Sequence, residues 1–268
     1  MTNIKVLFSG LVVIVMTIFI FSCTENVIET DSAHITSVSS RSSGSDCSPQ
    51  TLYTEYPSCT HTIVNRNISF ATGLGLFSNS SVIKNLCPNL QVAVSFTHTT
   101  CQLVGGGEIH FVHGLTYNLA NMIAACPALQ NEINNQVALG TLVSFLDLID
   151  HEISMQTEFT LAFEAALQDQ IRYLCGNDRF YSVKYIKNTC YQWVPYVDGP
   201  KDRPINSYIK QDCMATVCCA RSNNYCVQSF INGQPNLITG SLVNYQQFEG
   251  SCPLQCTHDC GAPNPNEI

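Results

Sequence analysis

TLVSFLDLIDHEISMQTEFTLAFEAALQDQIRYLC, residues 141–175, is the most strongly patterned stretch of the chain. Leu142, Leu146, Ile149, Ile153, Phe163, Leu167, Ile171 and Leu174 recur at helical spacing, with polar interruptions at Gln156 and Thr160. Gly176 follows Cys175 and suits a left-handed stop. At about 1.5 Å per residue the segment predicts a helix near 50 Å long, or one bent at the interruption. Flanking regions of strand character would pack on it. Leu119 to Ala125 predicts a short helix before it, and Pro127 fits the first turn of another, where its missing N–H costs nothing.

On the N-terminal side, residues 47–117 read as β-rich. Leu90, Val92, Val94 and Phe96 alternate with polar or small neighbours up to Cys101, the mark of a half-buried strand. Gly105-Gly106-Gly107 then turns the chain and Glu108 to His113 returns, a hairpin that Cys87 and Cys101 would pin through separate partners. Asn65 to Phe77 reads as a further strand running into a loop. On the C-terminal side, residues 177–260 are β-rich and dense in cysteine. Strands are expected at Tyr181–Lys187, Cys190–Pro195, Tyr208–Lys210, Met214–Arg221 and Tyr225–Ile231, with turns at Asn223-Asn224 and Asn232-Gly233. The fold class is therefore α+β: a β-rich N-terminal region, a helical region over 118–176 and a disulfide-rich β region.

The first residues carry a different message. Lys5 precedes an apolar run from Val6 to Phe21, the shape of a secretory leader, although its length also suits an uncleaved anchor. The ending Ile20-Phe21-Ser22-Cys23 resembles the lipobox of bacterial lipoproteins. The resemblance covers the leader alone. It implies cleavage after residue 22, acylation of Cys23, a membrane partner through that anchor and a place in the bacterial cell envelope. The alternative is ordinary secretion. Residues 24–46, with seven Ser and three Thr, read as an unstructured tether, and 261–268 as a frayed tail.

Fifteen cysteines less a lipidated Cys23 leave an even set: Cys47, Cys59, Cys87, Cys101, Cys126, Cys175, Cys190, Cys213, Cys218, Cys219, Cys226, Cys252, Cys256 and Cys260. In an exported chain this predicts up to seven disulfides. Adjacent Cys218 and Cys219 point to opposite faces of a strand, so they should bridge to different neighbours, Cys213 and Cys226 being near in sequence. A vicinal disulfide, or a thiolate zinc site at Cys252, Cys256 and Cys260, is the competing expectation.

Charged residues make up 12% of the chain, and 12 Lys+Arg face 20 Asp+Glu for a formal net charge of −8. That field repels polyanions and argues against nucleic acid as a partner. The sequence contains no nucleophile elbow, P-loop or dinucleotide fingerprint, and no cofactor is expected. Three groupings carry possible chemistry. His98, Glu108, His110 and His113 would supply a divalent metal site if a hairpin register matching apolar faces brings His98 and His113 to one side. Against this stands a pair of hydrogen-bonded histidines beside a core. Of Asp147, Asp150, His151 and Glu152 on the long helix, the first three lie at i, i+3, i+4 on one face, where they suit a cation, proton transfer or a basic partner, but the group reads foremost as a solvated acidic face. Tyr191, Trp193 and Tyr196 would offer stacking surfaces to a glycan or protein ligand, with core packing as the alternative. The expectation is a ligand-binding or envelope-structural protein rather than an enzyme, with a histidine-based metal-binding protein or hydrolase as the alternative.

Overall fold

The computed structural model describes residues 47, 59–71, 81–103, 107–169, 171–176, 180–199, 205–213, 217–239, 244–247, 252, 256–258 and 260. The leader, Cys23, the tether, the tail and the centre of the glycine turn lie outside the described residues. All described residues belong to one compact unit, 40–268.

The architecture is α+β. Strands β1 (Cys59–Ser69), β2 (Gln91–Leu103), β3 (Gly107–Tyr117), β4 (Tyr181–Asn188), β7 (Cys218–Ile231) and β8 (Gln234–Thr239) lie in that order in one seven-stranded sheet, and β9 (Asn244–Gln247) also pairs with β7. A second sheet, in the order β10-β5-β6, holds β5 (Cys190–Asp198), β6 (Ile205–Asp212) and β10 (Thr257–His258). Helices α1 (Val82–Leu86), α2 (Leu119–Ala125), α3 (Pro127–Leu139) and α4 (Leu142–Gln168) complete the described elements. The β-rich regions on either side of the helices share the large sheet, joined where β3 runs parallel to β4. Such a parallel pair needs a long crossover, which α2–α4 supply.

The helices begin and end for local reasons. Asn118 caps α2 by accepting from the Asn121 N–H, and Pro127 opens α3 as its position in the sequence predicts. Gly140, at φ 76°, closes α3 in the left-handed conformation that glycine adopts without penalty. Helix α4 stops at Asp169, short of the predicted Cys175. Ile171 is 74% exposed, and Leu174 forms a parallel bridge with Val227. The helical spacing of those two leucine-type residues is therefore coincidental: backbone pairing with β7 and the Cys175–Cys226 disulfide hold that segment instead.

Helix α4 touches β1, β4, β7 and β8, and the main core fills the space between helix and sheet. Val92, Val94 and Phe96 of β2, Val183 and Tyr185 of β4, and Tyr225 and Val227 of β7 meet Phe145, Leu146, Ile149 and Ile153 of α4 there. The alternation predicted for β2 places its apolar residues on this face.

One of the two turns expected in the C-terminal region needs correction. Asn223-Asn224 makes no turn: β7 runs unbroken from Cys218 to Ile231, because Asn223 is buried and bonded to α4. Asn232-Gly233 does turn the chain, with φ of 52° and 78°, the geometry of a type I′ hairpin between β7 and β8.

The fourteen cysteines downstream of residue 23 form seven disulfides: Cys47–Cys218, Cys59–Cys101, Cys87–Cys126, Cys175–Cys226, Cys190–Cys252, Cys213–Cys256 and Cys219–Cys260. Cys218 and Cys219 bridge to different neighbours, as opposite-facing residues must, but neither partner is Cys213 or Cys226. Seven disulfides fit an oxidising, extracytoplasmic compartment. Among the described residues no helix is long and apolar enough to cross a membrane.

Candidate functional site

Ionisable groups gather along α4. Read as a solvated acidic face, this stretch is instead buried: Asp150 is 6% exposed, Glu152 2% and Glu158 0%. Their countercharges come from strands distant in sequence. The Tyr191 hydroxyl and the Trp193 indole N–H both donate to Asp147 Oδ1, at 2.6 and 2.9 Å. One turn along, Asp150 Oδ2 accepts from Lys210 Nζ at 2.7 Å and Oδ1 accepts from the Tyr117 hydroxyl at 3.3 Å. Lys210 Nζ lies 4.1 Å from the centre of the Tyr191 ring and 5.9 Å from that of Trp193.

Further along the helix, Arg221 of β7 donates to Glu158, to Ser154 Oγ at 3.0 Å and meets His151 Nδ1 at 3.0 Å. Asn223 donates to the other oxygen of Glu158. Glu152 faces the opposite way and serves α1: its carboxylate accepts from Ser81 Oγ and from the Val82 and Ile83 N–H groups at the start of that helix. A carboxylate at a helix N-terminus meets donors that the helix itself leaves unpaired.

Burial sets the protonation of this seam. It raises the Asp147 carboxyl, against the pull of its Tyr191 and Trp193 hydrogen bonds. Burial also acts to raise Asp150, but Lys210, Lys187 and the two hydrogen bonds outweigh it and hold this carboxyl below its usual range. His151 is pushed down to about 3, first by burial and then by Arg221 and Lys187, so it is a neutral ring at physiological pH. His151, Tyr185, Lys187, Cys219 and Arg221 line a recess of about 10 Å³, room for one water molecule.

The histidines of the β2–β3 hairpin part company. The register pairs Thr100 with His110 and His98 with Val112, which puts His98 and His110 on the α4 side and His113 on the other. This corrects the expectation that His98 and His113 share a face. The pairing of Leu103 with Gly107 sets this register: even-numbered residues of β2 lie opposite even-numbered residues of β3 as far as His98 and Val112, and with a side-chain period of two that turns the odd-numbered His113 to the other face. His98 Nε2 lies 3.3 Å from His110 Nδ1, and His110 stacks on Tyr181 with 4.3 Å between ring centres. Glu108 is held by Gln102 and Arg172. On the far face, Thr99 Oγ1 links His61 Nδ1 at 2.8 Å to His113 Nε2 at 3.1 Å. His110 and His113 are each pushed down to about 4, by burial first and then by His98 and His61 respectively.

The predicted four-residue metal set therefore does not converge. Among the described residues, the only three histidine, cysteine or carboxylate ligand atoms within 4.8 Å of one another are the sulfurs of Cys190, Cys213 and Cys256, all tied up in disulfides. Cys252, Cys256 and Cys260 bridge to three separate partners, which leaves no thiolate for zinc.

The aromatic set divides as well. Tyr191 is 1% exposed, so its ring offers no stacking face, while Trp193 is half-buried; the polar tips of both bond to Asp147, and Tyr196 is 38% exposed on the opposite side of β5. Lys210, Arg221, Asn223 and Tyr117 escaped the sequence reading. Their one signal was indirect: the acidic residues of residues 141–175 had too few cations nearby in sequence. Compared with known protein families, curated proteins and solved structures, the chain matches none.

Proposed function

We propose that this is an exported lipoprotein of the bacterial envelope, anchored through Cys23, that binds a glycan or protein ligand or has a structural role, without catalysing a reaction. The observation that carries this reading is the inward use of its chemistry. Asp147, Asp150, Glu152, His151 and Glu158 each bond a partner within the fold, and seven disulfides lock the strands that supply most of those partners. A rigid, cross-linked body suits recognition, because little ordering remains to be done on binding. The Ser-rich segment after Cys23 would hold that body away from the lipid headgroups.

Three measurements test it. Intact mass of the membrane-extracted protein should show acylation at Cys23; a protein that starts before Cys23 and carries no acyl chain overturns the anchoring. Screening on glycan and envelope-protein arrays should return a saturable ligand. Turnover of a model substrate in the absence of any ligand overturns the non-enzymatic reading.

A second reading keeps a divalent metal at His98 and His110. It rests on their 3.3 Å nitrogen separation, which matches two imidazoles on one tetrahedral zinc with bonds of about 2.0–2.1 Å. Elemental analysis of untagged protein after zinc or copper loading decides it: a stoichiometry near zero ends this reading.

A further inference from the structure

We propose that Lys210 and Asp150 become joined by an intramolecular isopeptide bond, an amide between Nζ and Cγ that ties β6 covalently to α4. Four features of the site converge on this chemistry. Lys210 Nζ already touches the Asp150 carboxylate at 2.7 Å, so amine and acyl carbon need no search to meet. Asp150 is buried, and the Tyr191 and Trp193 rings flank the ammonium, at 4.1 and 5.9 Å from it. Both observations describe a place partly shielded from bulk water, where a neutral amide is readily accommodated and its hydrolysis is hindered. The Tyr117 hydroxyl donates to Asp150 Oδ1 at 3.3 Å, where negative charge develops when the carboxyl is attacked. Asp147, three residues earlier on the same helix face, supplies a second carboxyl, oriented by Tyr191 and Trp193 and inclined by burial to hold a proton.

The step balances without any outside reagent. A proton passes within the ion pair from Nζ to Oδ2, leaving a neutral amine beside a neutral acid. The amine lone pair attacks Cγ, and the carbonyl electron pair moves onto Oδ1, held by Tyr117. Asp147 gives a proton to Oδ2 and takes one from the attacking nitrogen, so it ends as it began. The carbonyl re-forms, the Cγ–Oδ2 bond breaks, and Oδ2 leaves as water. An ammonium and a carboxylate are replaced by one secondary amide and one water, with no change in net charge. Lys187 acts on Asp150 through its charge and opposes protonation there, while Asp212, close to Lys210, is a second carboxylate that competes for it.

Peptide mapping of the full chain tests this directly. Protein exported from its native leader is reduced, alkylated, digested with trypsin and sequenced by tandem mass spectrometry. The expected result is a branched peptide joining Lys210 to Asp150, lighter by about 18 Da than its two parts, with no cleavage after Lys210. Linear peptides alone, with Lys210 free, show an ordinary ion pair and overturn the proposal; a branch at Asp212 overturns the assignment to Asp150. Asp150→Asn should still cross-link, now losing ammonia, about 17 Da, which separates amide formation from any unrelated dehydration. Asp147→Ala, checked for folding by circular dichroism, should carry much less of the link. A folded Asp147→Ala protein that is fully cross-linked removes Asp147 from the proton transfer.

Discussion

On the side of the large sheet beneath α4, apolar side chains from β2, β4, β7 and the helix fill a broad core, with the Glu158–Arg221 pair buried in it and the Asp150–Lys210 pair at its margin. On the opposite side the buried cluster is small: Cys47, Cys101, Ile109, Phe111, Ile186, Cys218 and Ala220. Three of those seven are half-cystines, from the bridges Cys47–Cys218 and Cys59–Cys101. One face is held by area removed from water and the other largely by covalent staples. Where too little apolar surface exists to bury, cross-links take over by restricting the unfolded chain. The same contrast explains where polar groups are tolerated. The thick core encloses the Glu158 carboxylate with donors from both Arg221 and Asn223, whereas the thin face carries the His61–Thr99–His113 relay.

The sharpest way to break this contrast is to orphan a charge in the thick core. Arg221→Ala leaves Glu158 buried without its cation and should cost about 3–5 kcal/mol in denaturant unfolding. The double variant Arg221→Met with Glu158→Leu should recover most of the loss. Equal loss in both would mean that the pair matters for packing rather than charge. On the thin face, replacing Cys47 and Cys218 together by serine opens a bridge spanning 171 residues. A loss of roughly 2–4 kcal/mol is expected, reduced from the long-loop limit because six other bridges already constrain the unfolded chain.

Acid probes both faces. His110 and His113 titrate at about 4 when folded and near 6.5 when unfolded. Between those values the unfolded chain binds protons that the folded one refuses, so stability falls as pH drops from 6.5 and the loss levels off near 4. For His110, surrounded by His98, Glu108 and Arg172, the loss between pH 7 and pH 5 should be about 1–2 kcal/mol. His110→Gln should flatten the melting temperature over that range; an unchanged slope would show that His110 is not the group responsible. The smallest effect is expected at Arg66, whose ion pair with Glu164 is partly exposed. Arg66→Ala should shift stability by less than about 1 kcal/mol, and the shift should shrink further in high salt.

The residue pattern of α4 was legible, because a period of 3.6 in apolar residues survives whatever packs against it. Its end was not. Ile171 and Leu174 keep the helical spacing, and the helix nonetheless yields at Asp169 to pairing with β7, a partner more than fifty residues downstream. The acidic residues read as a solvent-facing stripe for a similar reason. Lys210 and Arg221 lie 60 and 63 positions from the carboxylates they neutralise. The hairpin histidines failed on a finer scale, since the pairing of Leu103 with Gly107, which composition does not reveal, sets His98 opposite Val112 and leaves His113 on the other face.

Amino-acid order was enough for the class of structure and for the number of bridges: helical and alternating periods are local, and cysteine parity needs only a count and a compartment. Which cysteine meets which, which face each histidine takes, and which lysine reaches Asp150 depend on contacts between segments far apart in the chain. Those contacts exist only once β3 and β4 lie side by side and α4 closes over them. The physical reason is that burial, pairing and charge neutralisation belong to neighbourhoods in space, and a linear sequence specifies such neighbourhoods only through the whole fold.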